Sequence, residues 1–420
     1  GIGNVSRRIV LRVAVTCHRC LSNWSAIVLH HWTRTPKTGE SDACVRGDKP
    51  RIPSYYPALK RNEKKGRVME FGISFFPNVG PTEKSGRDYW EEALSLVDLC
   101  DEHGYSHVRT VEHYFHPYGG YSPNPIVFLS AASQRTKKAR LVTGAVLPAF
   151  NNPLKLAGEI AMLDAISGGR ADIGMARAFL PHEFARFGVS LDDSRGRYEE
   201  GVQQIRALLT EENVSMTGQY HSFRNVTSLP RPTQQPHPPI WVAALQTKES
   251  FEFAGRNGFN CMANPIGGAK LHELLDIYHE EWAKAGHPGR GKVVLAFMMY
   301  CAPTTDQAID EAGPDVKAYF ETLTDAASDW TGGASTKDYP GYDRMIEVLS
   351  KEDVHTQREK SAAFIGSPEE CCDMISDFHA QIGGFDVASL QVNTKMMPVA
   401  MARASMELFG REVIPKFAKA

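Results

Sequence analysis

Glu112-His113-Tyr114-Phe115 follows an apolar stretch, Ser106 to Val111. That stretch reads as a short β-strand, which puts the histidine at the strand's C-terminal tip. An imidazole titrates near neutral pH, so it can take up or release a proton during a reaction. Histidines at strand ends are often structural, and this one gains its weight from residues further along the chain. Arg177 ends the strand-like run Asp172-Ile173-Gly174-Met175-Ala176, where the small residues Gly174, Ala176 and Ala178 would let a flat ligand approach the backbone. Arg195 stands at a helix opening, Asp192-Asp193-Ser194-Arg195. Two guanidiniums beside helix N-terminal amides suit a terminal phosphate. The run Ala243-Ala244-Leu245-Gln246-Thr247-Lys248-Glu249-Ser250 leaves another strand and starts a helix, offering hydroxyls and free amides to the same group. Taken singly, Arg177 is explained as well by pairing with Asp172 or Glu183, and Arg195 by pairing with Glu199 or Glu200. The two arginines together on one barrel rim, opposite a hydroxyl-rich turn, favour a phosphate grip.

The elements that must position these residues alternate from Met69 onward. Candidate strands are 71–76, 107–112, 141–147, 171–176, 240–244, 260–264, 293–301 and 387–392, and amphipathic helices such as 89–103, 154–166, 194–209, 271–285, 368–383 and 399–417 run between them. Eight strands alternating with helices predict a closed (β/α)8 barrel, an α/β fold whose chemistry sits at the C-terminal ends of its strands. Two segments interrupt the alternation. Residues 210–239 hold five prolines and read as a hairpin with a Pro-rich return. Residues 331–363 form an insertion late in the barrel, without clear period before Ile346, as expected of a lid over the active face.

Composition narrows the function classes. Charged residues at 23% and a net charge of −2 give no reason to expect nucleic-acid binding, and no apolar run is long enough to cross a bilayer. Residues 1–68 differ from the rest: they carry 14 Lys/Arg against 4 Asp/Glu, so the remainder carries a balance of −12. This basic leader is expected to be disordered or a non-native extension, with Met69 the start of the native body. A twin-arginine-like signal around Arg7-Arg8, a transit peptide, or zinc ligation by Cys17, Cys20, His30, His31 and Cys44 are weaker readings of it. No metal site is expected in the body. The scattered cysteines do not read as a disulfide framework, which points to a reducing cytoplasm.

Residues 69–420 resemble the bacterial luciferase-like flavin monooxygenases. The motifs fall in order: Glu112-His113-Tyr114-Phe115, Asn124-Pro125, Leu147-Pro148, Asn152-Pro153, the stretch Glu159 to Arg170, Phe187-Gly188 through Ser194-Arg195, and Gly366-Ser367-Pro368-Glu369-Glu370-Cys371. The resemblance implies a barrel that binds reduced FMN delivered by a separate flavin reductase. It makes His113 the catalytic histidine and places Arg177, Arg195, Gln246, Thr247 and Ser250 at the FMN phosphate, with Ala176 beside the ring. Thr143-Gly144 falls where the family often has a cis, non-proline peptide beneath the isoalloxazine. Two departures stand out. Tyr114 replaces the second histidine of the motif, and Ala176 replaces the reactive cysteine of light-emitting luciferases.

The activity so implied is oxygenation of a small apolar substrate by reduced FMN and dioxygen, in a pocket kept dry by residues 331–363. Phe75, Phe76, Tyr114, Phe179 and Met396 are candidate walls. A deazaflavin-dependent hydride-transfer enzyme on the same barrel is one alternative, and a non-catalytic luciferase-like partner subunit is another. Pairing as a homodimer or heterodimer is implied by the resemblance alone.

Overall fold

The computed structural model describes residues 68–331 and 339–417. The expected leader (save Val68), its cysteine and histidine ligands, and residues 332–338 of the late insertion lie outside them. Eleven strands occur among the described residues: β1 Glu70–Phe75, β2 His107–Thr110, β3 Arg140–Val146, β4 Ala171–Met175, β5 Val214–Thr217, β6 Ser222–Val226, β7 Ile240–Ala243, β8 Asn260–Ala263, β9 Val293–Cys301, β10 Ala363–Gly366 and β11 Val387–Gln391. Eight of them close a parallel barrel in the order β1-β2-β3-β4-β7-β8-β9-β11 and back to β1. These are the eight expected strands, so the (β/α)8 architecture holds. The hairpin is β5 with β6, antiparallel, followed by the Pro-rich return.

One strand lies outside that expectation. β10 pairs in parallel with the C-terminal half of β9, Ala363 opposite Met298 and Gly366 opposite Cys301, while the first half of β9 pairs with β11. Residues 331–363 are therefore only partly loop: helices Tyr342–Leu349 and Val354–Glu359 lead into β10. The four-residue Ala-Phe-Ile-Gly strand is too short to show a period of its own.

Alternation along the strands explains what faces where. Phe71, Ile73 and Phe75 of β1, Val108 of β2, Leu141 of β3 and Ile173 and Met175 of β4 join the outer core beneath the helices. Val142, Trp241, Met262, Val294 and Val387 pack together as a separate cluster inside the barrel. Three helices open on the same device: Asn124, Asn152 and Ser367 each accept a backbone N–H with their side chain, and a proline follows at the first helical position. No described helix is long and apolar enough to cross a membrane.

β3 is irregular where it nears the mouth. Thr143 pairs with Ile173 and Val146 with Met175, so the strand carries one extra residue there, a bulge at Gly144 and Ala145 that pushes both toward the interior. The non-proline cis peptide is Gly144–Ala145, one residue later than Thr143–Gly144.

Candidate active site

At the C-terminal mouth of the barrel lies a cavity of about 280 Å³, lined by residues from all eight barrel strands or the loops that follow them. His113, Gly144, Ala176, Arg177, Thr247 and Ser250 all reach it. The imidazole thus shares one rim with Arg177, Thr247 and Ser250, whereas the expected Arg195 and Gln246 do not line it.

His113 is fixed from two directions. Its Nδ1 lies 3.0 Å from Glu183 Oε1, and the same oxygen accepts the Tyr114 amide N–H at 2.8 Å. Glu183 is fully buried, on the short helix Pro181–Phe187 that follows β4. A carboxylate at Nδ1 assigns the proton to that nitrogen, leaving Nε2, which has no partner among the described residues, as the free acceptor in the neutral ring. The imidazole packs among Phe76, Tyr118 and Phe179, with ring centroids 5.6, 5.3 and 6.0 Å away. Gly119, at φ +81°, lets the loop close over it, for a Cβ there would fall 2.7 Å from His113 Cβ.

Glu112 braces the same loop. Its carboxyl accepts from the Leu147 amide at 3.0 Å, from Asn151 Nδ2 at 2.9 Å and from the Tyr114 hydroxyl. Burial is the main influence and pushes it up to about 7, against the pull of these three donors. Tyr114, in place of a second histidine, is thereby committed to Glu112.

Across the cavity, Arg177 follows β4. It is 8% exposed, its guanidinium lies 4.0 Å over the Tyr339 ring, and its Nη1 has no hydrogen-bond partner among the described residues. Neither suggested ion pair for it forms. Asp172 is taken by Arg140 and Glu183 by His113. Thr247 caps the helix Lys248–Asn257 without accepting an amide; its hydroxyl instead lies 2.9 Å from that of Ser250. Arg195 is outside the cavity lining but adjoins this turn, 3.9 Å from Glu249 and 3.9 Å from Glu199. Its other suggested partner, Glu200, instead accepts the amides of Gln219, Tyr220 and His221. A buried guanidinium with an unused donor, two hydroxyls and a helix N-terminus fit a phosphate.

Several expected residues are placed elsewhere. Thr143 points outward, by strand alternation, and donates to Gly174 O at 2.9 Å. Gln246 turns away from the lining, its Nε2 3.4 Å from Pro340 O. Of the candidate walls, Phe76 and Phe179 line the cavity. Phe75 is on the outer face of β1 against Phe128, Tyr114 is held by Glu112, and Met396 is exposed. Sequence alone offers Glu183 only as a partner for Arg177; its place in the first turn of the short helix Pro181–Phe187 carries no signature by itself. No group of residues suited to a metal ion occurs among the described residues.

From Tyr339 onward, the late insertion borders the cavity. Trp330, just before the insertion, donates from Nε1 to Phe179 O at 2.9 Å, and the Tyr339 hydroxyl within it donates to Ala178 O at 3.1 Å, tying both to the loop after β4. Tyr342, Met345 and Leu349 complete the wall.

Known proteins share this sequence and architecture. The chain is 28% identical over 362 residues to the oxygenase component of a flavin-dependent trigonelline monooxygenase from Acinetobacter baylyi, covering 84% of this chain and 96% of that one. A crystal structure of a monooxygenase from Streptomyces bottropensis is 41% identical, with a TM-score of 0.74, covering 83% of this chain and 100% of the other. The fold alone is shared with a coenzyme F420-dependent tetrahydromethanopterin reductase from Methanopyrus kandleri, at 20% identity and a TM-score of 0.62, covering 83% of this chain and 99% of that one. Residues 69–384 match the luciferase-like monooxygenase family, and the chain belongs to it.

Proposed function

We propose that the protein is an FMN-dependent monooxygenase that oxygenates a small organic substrate with dioxygen, using reduced FMN from a separate flavin reductase. The observation that carries this reading is the pairing, across one cavity, of the unpartnered Arg177 Nη1 with the free Nε2 of His113. Arg177, Thr247 and Ser250 would hold the phosphate, with Arg195 behind them. When bound, reduced FMN supplies the electrons that activate dioxygen.

The chain's own residues do the rest. Glu183 keeps the His113 proton on Nδ1, so Nε2 accepts a proton from the reacting group and returns it. The mostly apolar lining and the cover of Trp330, Tyr339 and Tyr342 exclude water. The relative's description as an oxygenase component supports a reductase partner. Leu154, Gly158, Met162 and Ile166 recur every four residues along the helix Pro153–Ser167, and the three large side chains are exposed, which supports pairing with a second chain. Buried, unpaired Cys100, Cys261, Cys301 and Cys371 support a cytoplasmic location.

The test is anaerobic titration with reduced FMN, then admission of air with candidate substrates and mass detection of one added oxygen atom. Turnover without dioxygen, supported by reduced deazaflavin and not by reduced FMN, would overturn this reading in favour of hydride transfer. Absence of flavin binding would point to a non-catalytic subunit.

A further inference from the structure

Beneath His113, the cavity floor holds a polar layer that neither the phosphate grip nor the histidine uses. Ser74 on β1 is in register with Arg109 on β2 and with Gln391 on β11, and all three line the cavity. Arg109 is buried, and its guanidinium donates once, from Nη2 to Gly144 O at 2.9 Å. Its Nε has no acceptor, and no carboxylate pairs with it among the described residues. Gln391 Nε2 is equally buried and without an acceptor. Gly144 makes room for the guanidinium, since a Cβ there would lie 1.8 Å from Arg109 Nε.

A buried cation without a counter-charge is costly, and burial is the main influence bringing Arg109 down to about 10. Only the phenols of Tyr118 and Tyr319 offset that pull. A ligand in the cavity would supply the missing acceptors. The layer spans β11, β1 and β2, on the opposite side of the barrel from β4 and β7, which carry Arg177 and Thr247. A molecule held by its phosphate at β4 and β7 and lying across the barrel presents its far end there. The pyrimidine edge of a flavin carries two carbonyl oxygens and an imide N–H, which a carboxamide matches donor to acceptor. On uptake of two electrons and one proton, that edge also gains a negative charge shared by N1 and the C2 oxygen, which a guanidinium matches.

Resting on the FMN reading of the site, we propose that Arg109, with Ser74 and Gln391, holds the flavin's pyrimidine edge and favours the reduced, anionic form over the oxidised one. The experiment measures dissociation constants for oxidised and reduced FMN, and the bound midpoint potential by anaerobic dithionite titration. It compares the wild type with Arg109→Met, Arg109→Lys and Gln391→Leu. Arg109→Met is expected to weaken reduced FMN about tenfold more than oxidised FMN, which for a two-electron couple makes the bound potential about 30 mV more negative. Arg109→Lys should recover part of the shift, and Gln391→Leu should give a smaller shift of the same sign. An equal loss for both redox forms, or an unchanged potential in a folded Arg109→Met protein, overturns the proposal. If Arg109→Met does not fold, unchanged potentials in the other two variants overturn it. Loss of benzoate binding with an unaltered FMN potential also overturns it, assigning the floor to a substrate anion. A wild type that binds no FMN at all instead removes the phosphate-grip reading from which this one starts.

Discussion

Glu183 Oε1 lies 3.0 Å from His113 Nδ1 and 2.8 Å from the Tyr114 amide nitrogen, so one carboxylate oxygen holds both the imidazole and the backbone that carries it. The contact joins the loop after β2 to the helix after β4. It therefore sets the distance between the imidazole and Arg177, six residues before Glu183 on the same connection.

His113→Ala is expected to keep flavin binding and to lose turnover by about 10²–10⁴-fold, the usual range for a general acid–base group. Glu183→Gln should lose less, because the amide oxygen can still accept from Nδ1–H but brings no charge. Single-turnover rates with pre-bound reduced FMN measure both, and wild-type turnover in His113→Ala removes the histidine from the mechanism.

Arg177→Ala should weaken FMN by about 10- to 100-fold, the worth of charge-assisted hydrogen bonds of about 1.5–3 kcal/mol. Arg177→Lys is expected to fall between, since it keeps the charge and loses the planar fork. Fluorescence titration with FMN and with riboflavin checks the assignment, because riboflavin lacks the phosphate and should bind both variants like the wild type.

Glu112 gives a pH signature. Its folded value of about 7 is raised above the ordinary 4.5, chiefly by burial, so the folded state binds the extra proton. Its contribution to stability is therefore fully present below pH 4.5 and is lost as pH rises through 7, by up to about 3 kcal/mol. Urea unfolding of wild type and Glu112→Gln across this window should show the difference between them narrowing or reversing toward pH 8. Parallel curves would count against the raised value.

Tyr339→Ala removes the ring over Arg177 and the hydrogen bond to Ala178 O. Opening the mouth to water should raise the hydrogen peroxide released per flavin oxidised at the expense of oxygenated product. A peroxide assay alongside product quantification reads the ratio, and an unchanged ratio argues against a sealing role.

Met162, 56% exposed at the centre of its apolar stripe, tests the pairing face. Met162→Glu is expected to shift the protein from dimer to monomer by light scattering. A monomeric wild type would dismiss that face as an interface.

Much of this is legible in the residues because barrel strands announce themselves. β1, β3 and β9 are apolar runs with helical stretches between, and Asn124-Pro125, Asn152-Pro153 and Ser367-Pro368 mark helix starts through local chemistry alone. His113, Arg177, Thr247 and Ser250 are visible because each follows a strand. The inward turn of Gly144 and Ala145 together is not, because it depends on where the bulge falls, and a bulge is set by packing across β3 and β4. Glu183 and Arg109 escape for a related reason. Their importance lies in who faces them across 70 and 35 residues of chain, His113 and Gly144, and no local spacing carries that information.

At Met298, β9 touches Gln391 of β11 and Ala363 of β10 together. From there toward the mouth the cylinder wall forks, and its seventh stave leans toward the late insertion instead of its eighth neighbour. The chain leading into β10 lines the cavity with Gln357 and Ala362. A change in that segment alters this side of the cavity without touching the strands that lead to Arg177 and Thr247.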